Sequence, residues 1–210
     1  MKNIKKALVS LTAAVVSAAS FCAIPSASAA SSKYKTYSYY FDVPENTYVK
    51  TCNANVSYNP NNVEFVRSSN GNLGGTFSVS NIGITDTSKK TYVEYSNASP
   101  SSQSGSLGFV TLKTTSSVPS FSVTLVKNDR NNTLVTSTVK VNRVLMGDVN
   151  LDGVVNEDDV TLLSRAVMGA TALNETQKRA ADVDGNGKAD ATDALCINKY
   201  IAGVIDSVCD

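Results

Sequence analysis

The sequence predicts an antiparallel β-sandwich followed by a small α-helical module built from two loop–helix repeats. From residue 31 to 145 the chain is rich in Ser, Thr, Asn, Val and Tyr, and short strand-like runs alternate with turn clusters. From residue 146 onward an aspartate- and glycine-rich segment occurs twice, and each copy precedes apolar residues at helical spacing. Because the two parts have different periodicities, we expect two domains, residues 31–145 and 146–210, with almost no linker.

The first thirty residues predict a signal peptide. Three lysines precede an apolar run at residues 7–19, and Ala27-Ser28-Ala29 supplies the small residues that a signal peptidase accepts. The run is too short and too polar for a membrane helix, and we identify no other segment that would span a bilayer. We therefore expect a secreted, extracellular protein that makes no membrane contact.

Eight strand-like runs are predicted in the first domain. Turn clusters such as Asn59-Pro60-Asn61-Asn62 and Gly74-Gly75 separate them. Seven to nine short strands over this length are typical of an antiparallel sandwich or jelly roll. The predicted runs are residues 36–43, 49–58, 63–66, 76–79, 91–95, 107–113, 121–126 and 134–144.

Two twelve-residue segments, which begin at Asp148 and Asp182, have the spacing of calcium loops. Oxygen-bearing side chains occupy the first, third, fifth, ninth and twelfth places, glycine occupies the sixth, and the seventh offers a backbone carbonyl. The predicted ligands of one Ca²⁺ are Asp148, Asn150, Asp152, Val154, Asn156 and Asp159, and those of a second are Asp182, Asp184, Asn186, Lys188, Asp190 and Asp193. The twelfth ligand is Asp, where the usual loop has Glu, so the sequence leaves the calcium affinity open.

Each loop is followed by a predicted amphipathic helix that ends at glycine. Apolar residues recur at positions 160, 163 and 167 before Gly169, and at 194, 197 and 201 before Gly203. Between the two repeats, Asn174-Glu175-Thr176-Gln177 has the form of a capping box and predicts a short helix up to Ala181. A strand-like run precedes the first loop, so these units lack the entering helix of a full EF-hand.

Calcium is expected to stabilise this module. About sixty residues bury only about 60% of their unfolded surface, which makes such a domain marginal. Residues 146–210 also carry 12 acidic and 5 basic side chains, a net charge of −7. Two bound dications would relieve that repulsion, and we therefore expect chelation to unfold the module.

The paired loop–helix units resemble a type I dockerin over residues 146–204. This resemblance implies calcium-dependent docking onto a cohesin module of a cellulosome scaffoldin. It also implies that the tenth and eleventh loop places and two exposed helix positions contact the partner. Carried onto this sequence, those positions are Glu157, Asp158, Ser164 and Arg165, and Ala191, Thr192, Asn198 and Lys199. For any one of them taken singly, a solvated helix face is the interpretation that we favour.

The first domain is similar to cohesins and to related cellulose-binding sandwiches in two segments. These are residues 55–66, where a turn at Asn59-Pro60 precedes a Val-Glu-Phe strand, and residues 104–113. Three functions stay open: a non-catalytic sandwich that binds carbohydrate in plant polysaccharide degradation, a cohesin that receives another dockerin, and a small carbohydrate-active hydrolase. The first is our prediction, and an enzyme is not expected.

Composition restricts the chemistry of the first domain. The chain has no histidine, which removes most zinc sites and every catalytic triad with a histidine base. Glycoside hydrolysis requires two carboxylates across a cleft, and Glu64 and Glu94 lie in predicted strands from which they could face each other. Residues 31–145 carry a net charge of +5, with one adjacent pair, Lys89-Lys90, which is too little for nucleic-acid binding.

Tyrosines are the candidate carbohydrate contacts, because tryptophan is absent. Aromatic rings on an open sheet face can stack on sugar rings. Alternation predicts that Tyr37 and Tyr39 share one face of the first strand and that Tyr40 lies on the other, while Tyr92 and Tyr95 belong to a later strand. An equally good interpretation is that these rings form the core and edges of the sandwich.

Three cysteines follow the predicted leader, so a full disulfide framework is excluded. Cys52 alternates with apolar residues in a predicted strand, and Cys196 occupies the place that Leu162 has in the first repeat. We therefore expect both to be small core residues. A bridge between Cys196 and Cys209 is the alternative, which we do not favour.

Overall fold

The computed structural model describes residues 34–100, 104–116, 118–128 and 139–209. The strands within these residues are β1 Lys35–Val43, β2 Val49–Tyr58, β3 Val63–Asn70, β4 Thr76–Thr85, β5 Ser88–Ser96, β6 Gly105–Thr114, β7 Ser122–Asn128 and β8 Lys140–Leu145. They form two antiparallel four-stranded sheets, with strand order β3-β6-β1-β8 in sheet A and β4-β5-β2-β7 in sheet B. This arrangement confirms the predicted antiparallel β fold.

The sandwich core lies between the two sheets. Phe41 of sheet A is fully buried. Its ring centroid lies 5.5 Å from that of Phe77, on β4 of sheet B, and 5.4 Å from that of Phe121, which immediately precedes β7 of the same sheet. Val110 of sheet A and Val93 of sheet B belong to the same buried apolar cluster. Aromatic pairs at these separations add to the burial of apolar surface that stabilises the sandwich.

Some strands are longer than the predicted runs, because polar residues at their ends pair with a neighbouring strand. β4 reaches Thr85 and β5 begins at Ser88, because the two strands pair along their full length as a hairpin. β3 continues past Val66 to Asn70, with a register shift between Phe65 and Arg67. That shift leaves Phe65 against the core and places Arg67 on the outer face of sheet A. Residues 134–138 of the last predicted strand lie outside the described residues.

Three helices follow in the described part of the chain: α1 Glu157–Val167, α2 Glu175–Ala181 and α3 Ala191–Ile201. Each begins with a capping box, formed by Asn156 with Asp159, by Asn174 with Gln177, and by Asp190 with Asp193. Gly169 and Gly203 have positive φ immediately beyond the ends of α1 and α3, as the sequence predicts.

A second apolar core holds the helical module together. Its fully buried members come from both repeats: Val149 and Leu163 from the first, Val183 and Ile197 from the second. α1 and α3 pack against each other around them. Within the described part of the chain, no helix has both the length and the apolar character that a membrane crossing requires.

Cys52 and Cys196 are free thiols. Cys52 is buried in the sandwich core, and burial raises the pKa of its thiol to about 12. Cys196 is partly buried against the core of the helical module. Both therefore act as small core residues, in agreement with the sequence prediction.

Candidate functional site

The first predicted metal loop is closed by its own side chains. The two carboxylate oxygens of Asp148 accept hydrogen bonds from the backbone N–H of Asp152 at 3.0 Å and of Gly153 at 2.9 Å. Asp152 Oδ1 accepts from the N–H of Val154 at 2.8 Å. Asn150 donates its side-chain amide to Asp152 Oδ2 at 2.8 Å. The predicted first, third and fifth ligands therefore lie on one side of a single tight turn.

The second loop repeats this pattern. Asp182 Oδ2 accepts from the N–H of Gly187 at 3.0 Å, and Asn186 Oδ1 accepts from the N–H of Lys188 at 2.8 Å. Carboxylate oxygens of Asp182, Asp184 and Asp193 lie within 4.8 Å of one another. Asp182 Oδ1 is buried and has no hydrogen-bond partner among the described residues. This donor set fits a hard dication such as Ca²⁺, which is bound by oxygen ligands alone.

The twelfth place of each loop has a structural role besides its predicted role as a ligand. Asp193 is fully buried, and its carboxylate accepts from the N–H groups of Val183 at 2.9 Å, Asp184 at 3.2 Å and Asp190 at 2.9 Å. Asp159 is fully buried too, and it accepts from Asn150 at 3.0 Å and from Asn156 at 2.8 Å. The aspartate thus joins the start of each loop to the start of its helix. Its side chain is shorter than that of the usual glutamate, but it is long enough to make these hydrogen bonds.

Burial raises the pKa of Asp159, Asp182 and Asp193 above the usual value for aspartate. Backbone hydrogen bonds oppose that rise, while neighbouring aspartates add to it: Asp148 for Asp159, and Asp184 for Asp182 and Asp193. Concentrated negative charge in a desolvated loop is unfavourable, so a cation in the loop would stabilise the ionised form.

Backbone geometry agrees with the predicted loop register. The sixth-place residues Gly153 and Gly187 have φ of 91° and 85°, a conformation that favours glycine. The fourth places also have positive φ, but they hold different residues: Leu151 at 66° and Gly185 at 76°. The sequence analysis did not account for that difference between the repeats.

The predicted partner-binding residues lie on the module surface. Seven of the eight are exposed, and Ser164 is half-buried. Two large apolar side chains that the sequence analysis missed lie beside them: Met168, with an exposed fraction of 74%, and Leu195, with 53%. Met168 follows Arg165 by three positions and Leu195 precedes Asn198 by three, so each shares a helix face with predicted partner residues. Exposed apolar residues beside charged ones are typical of a protein-binding surface.

The helical module covers the outer face of sheet A, which the sequence did not predict. Tyr40, Val144 and Ala180 form a buried cluster between the sandwich and α2. Arg179 makes a two-pronged ion pair with Asp42, at 2.7 and 3.0 Å, and its guanidinium carbon lies 4.3 Å from the Tyr40 ring centroid. These contacts hold α2 against β1 and β8.

Further contacts continue this interface on both sides of the buried cluster. The hydroxyls of Thr36 and Ser207 are buried and 2.9 Å apart. Arg67 donates to the carbonyl oxygen of Val183 at 2.9 Å, beside the second loop. A cleft of about 650 Å³ between the two parts is lined by Tyr40, Phe109, Arg179, Asp182 and Lys188, among others. None of the predicted partner-binding residues contributes to the hydrogen bonds and ion pairs described here between module and sandwich.

Glu64 and Glu94 do not form a carboxylate pair across a cleft. Glu64 lies on β3 of sheet A, where it forms an ion pair with Lys113 at 3.4 Å, and Glu94 lies on β5 of sheet B with an exposed side chain. The predicted tyrosines are also separated. Tyr39 and Tyr95 are buried in the core, Tyr40 lies beneath the module, and Tyr92 is half-buried on the outer face of sheet B.

Residues 146–202 match the family described as Dockerin type I domain. Domains of this family in general bind calcium and cohesins, and they are typically parts of extracellular cellulosome proteins. The match covers the two loops, the three helices and the predicted partner-binding residues. No curated protein matches the chain at a significant level.

Two solved cohesin structures are similar to this chain over its β-rich part. One is a non-cellulosomal cohesin from the hyperthermophilic archaeon Archaeoglobus fulgidus, with 17% identity, a TM-score of 0.37, and coverage of 55% of this chain and 85% of that one. The other is the seventh ScaB type I cohesin from Pseudobacteroides cellulosolvens, with 12% identity, a TM-score of 0.34, and coverage of 55% and 83%. At these TM-scores the two structures do not assign a function to the sandwich.

Proposed function

We propose that residues 146–210 form a calcium-dependent dockerin that attaches this secreted protein to a cohesin of an extracellular scaffold. The match to the dockerin family over residues 146–202 carries this proposal. Each loop would hold one Ca²⁺ through the ligands predicted above. Retention of the full chain on immobilised type I cohesins in calcium, and its release by chelator, tests it.

The arrangement of the helices supports this docking function. α1 and α3 present Arg165 and Lys199 to solvent, each beside a polar residue, Ser164 or Asn198. Met168 and Leu195 add exposed apolar area on the same faces. A partly apolar surface with one cation on each helix suits a partner whose face combines carboxylates with apolar side chains.

For residues 31–145 we propose carbohydrate binding, at the outer face of sheet B. The module covers the outer face of sheet A, so sheet B offers the open sheet surface in the described part of the sandwich. Tyr92 lies near its centre and pairs in register with Asn55 on one side and Ser80 on the other. Lys90 Nζ lies 5.1 Å from the Tyr92 ring centroid. Amide and hydroxyl groups around an aromatic ring suit a neutral polysaccharide.

Affinity electrophoresis of the full chain in calcium tests the carbohydrate proposal. Migration through gels that contain cellulose derivatives, xylan, mannan, pectin or starch should be retarded by at least one polysaccharide. We expect Tyr92→Ala to abolish that retardation and Tyr92→Phe to retain most of it, because phenylalanine keeps the ring that stacks on sugar. Unretarded migration of the wild-type chain in every gel would contradict the proposal and favour a sandwich that binds another dockerin.

A further inference from the structure

The two calcium loops differ at their fourth place, and the sandwich supplies a physical reason. In the first loop this place is Leu151, with φ of 66° and an exposed fraction of 43%. In the second it is Gly185, with φ of 76°, and a Cβ atom added there would lie 2.8 Å from both Cζ and Nε of Arg67. The first loop shows that the turn itself accepts a leucine. Glycine at 185 therefore makes room for Arg67 of the sandwich.

Arg67 is well placed to hold the second loop. Its Nη2 donates to the carbonyl oxygen of Val183, a fully buried residue between the predicted ligands Asp182 and Asp184. Its Nε is buried without a hydrogen-bond partner among the described residues, and the guanidinium packs closely against the loop backbone at Gly185. Fixing this carbonyl fixes the peptide unit that joins Val183 to the predicted ligand Asp184. Arg67 is thus a positioning residue for a metal loop in the other domain.

The face of sheet A beneath the module is too apolar to be left in water without a cost. Tyr40 is 8% exposed and Val144 is 4% exposed, and both pack against Ala180 of α2 together with Phe109. α2 ends immediately before the second loop, which begins at Asp182. Covering this apolar face therefore depends on the same segment that the second metal ion would hold folded.

We propose that calcium binding at the second loop holds the module on the sandwich, through the packing of Arg67 against Gly185. The inference rests on the proposed calcium dependence of the module and goes beyond it. Calcium binding at residues 182–193 and the packing of the module on sheet A are coupled, so each process makes the free energy of the other more favourable. Calcium thus stabilises the β-sandwich, which contains none of its ligands, and it fixes the orientation of the module on the sandwich.

The test is thermal unfolding of the full chain in calcium and in chelator, followed by two circular dichroism signals. Ellipticity at about 222 nm reports the helices, and the near-ultraviolet signal reports the buried tyrosines, most of which belong to the sandwich. In the wild-type chain we expect chelator to remove the helical signal and to lower the midpoint of the tyrosine transition by several degrees.

Two pairs of variants distinguish loss of the contact between Arg67 and Gly185 from general destabilisation of the protein. Gly185→Leu copies the residue that the first loop accepts, and it should lower the tyrosine midpoint in calcium toward the wild-type midpoint in chelator, since the contacts of α2 with sheet A remain. Leu151→Gly, the reciprocal change in the first loop, should leave the calcium response of the sandwich intact. Arg67→Ala should act like Gly185→Leu, whereas Lys90→Ala removes a cation from sheet B and should act like wild type.

Three results would overturn the proposal. A wild-type tyrosine midpoint that is the same in calcium and in chelator, while the helices still respond, would show that the module folds without stabilising the sandwich. A full calcium response in both Gly185→Leu and Arg67→Ala would show that another contact couples the domains. Helices that do not respond to chelator would refute this inference together with the calcium dependence of the dockerin.

Discussion

Replacement of Asp193 by alanine is expected to unfold the helical module. The carboxylate is fully buried and accepts three backbone hydrogen bonds, from Val183, Asp184 and Asp190. An orphaned buried donor costs about 1–3 kcal/mol, and the substitution orphans the buried N–H of Val183 and two part-buried N–H groups in a module of marginal stability. It also removes the twelfth ligand of the second loop. Helical ellipticity measured in excess calcium should fall to that of the chelated protein.

The control for this variant is Asp206→Ala, which removes an exposed carboxylate from the same module. It should leave the helical signal unchanged, so that a loss in Asp193→Ala cannot follow from net charge alone. Asp193→Asn should be intermediate, because it keeps one acceptor oxygen but sets an amide against a backbone N–H. A module with Asp193→Ala that keeps full helicity in calcium would contradict the role assigned to this carboxylate.

Charge reversal at Arg165 together with Lys199 is expected to abolish cohesin binding. Both side chains are exposed on the faces of α1 and α3, away from the described contacts with the sandwich. The pseudo-symmetric repeats offer two similar faces, so Arg165→Glu or Lys199→Glu alone should be partly tolerated. The double change should weaken binding by roughly 100-fold or more, the scale at which central interface residues act. Isothermal titration against a cohesin that binds the wild-type chain measures this.

Helical ellipticity and calcium response of the double variant must match those of the wild type, since neither residue is a predicted ligand. Loss of all binding in Arg165→Glu alone would show that the first repeat carries the function. The same loss in Lys199→Glu alone would assign it to the second. Full binding by the double variant would refute the assignment of these faces.

The fold of the module could be read closely from its sequence because its determinants are local. Loop ligands, sixth-place glycines and capping boxes all lie within about four to twelve residues of one another, so spacing alone encodes them. The eight strands were also predictable, since each is a run of β-favouring residues between turns. Their ends were less so: polar residues such as Ser80 and Asn81 join β4 only because β5 pairs with them.

Contacts between the two parts of the chain left no comparable signal. The ion pair of Asp42 with Arg179 and the packing of Arg67 on Gly185 join residues that are far apart in the sequence. One trace is visible afterwards in β1, where Tyr39, Tyr40 and Phe41 form an unbroken aromatic run. In a strand with one solvent-exposed face, apolar and polar residues would alternate. β1 is buried on both faces because the module packs on it.

Calcium-dependent docking is tested by measuring cohesin binding in calcium and in chelator. The full chain would be passed over a panel of immobilised type I cohesins, first with calcium and then with excess chelator. We expect at least one cohesin to retain the chain with a Kd below about 1 μM and chelator to release it, because the docking helices fold only around the metal loops. Binding that persists unchanged in chelator, or a calcium-loaded module that no cohesin in the panel retains, would contradict it.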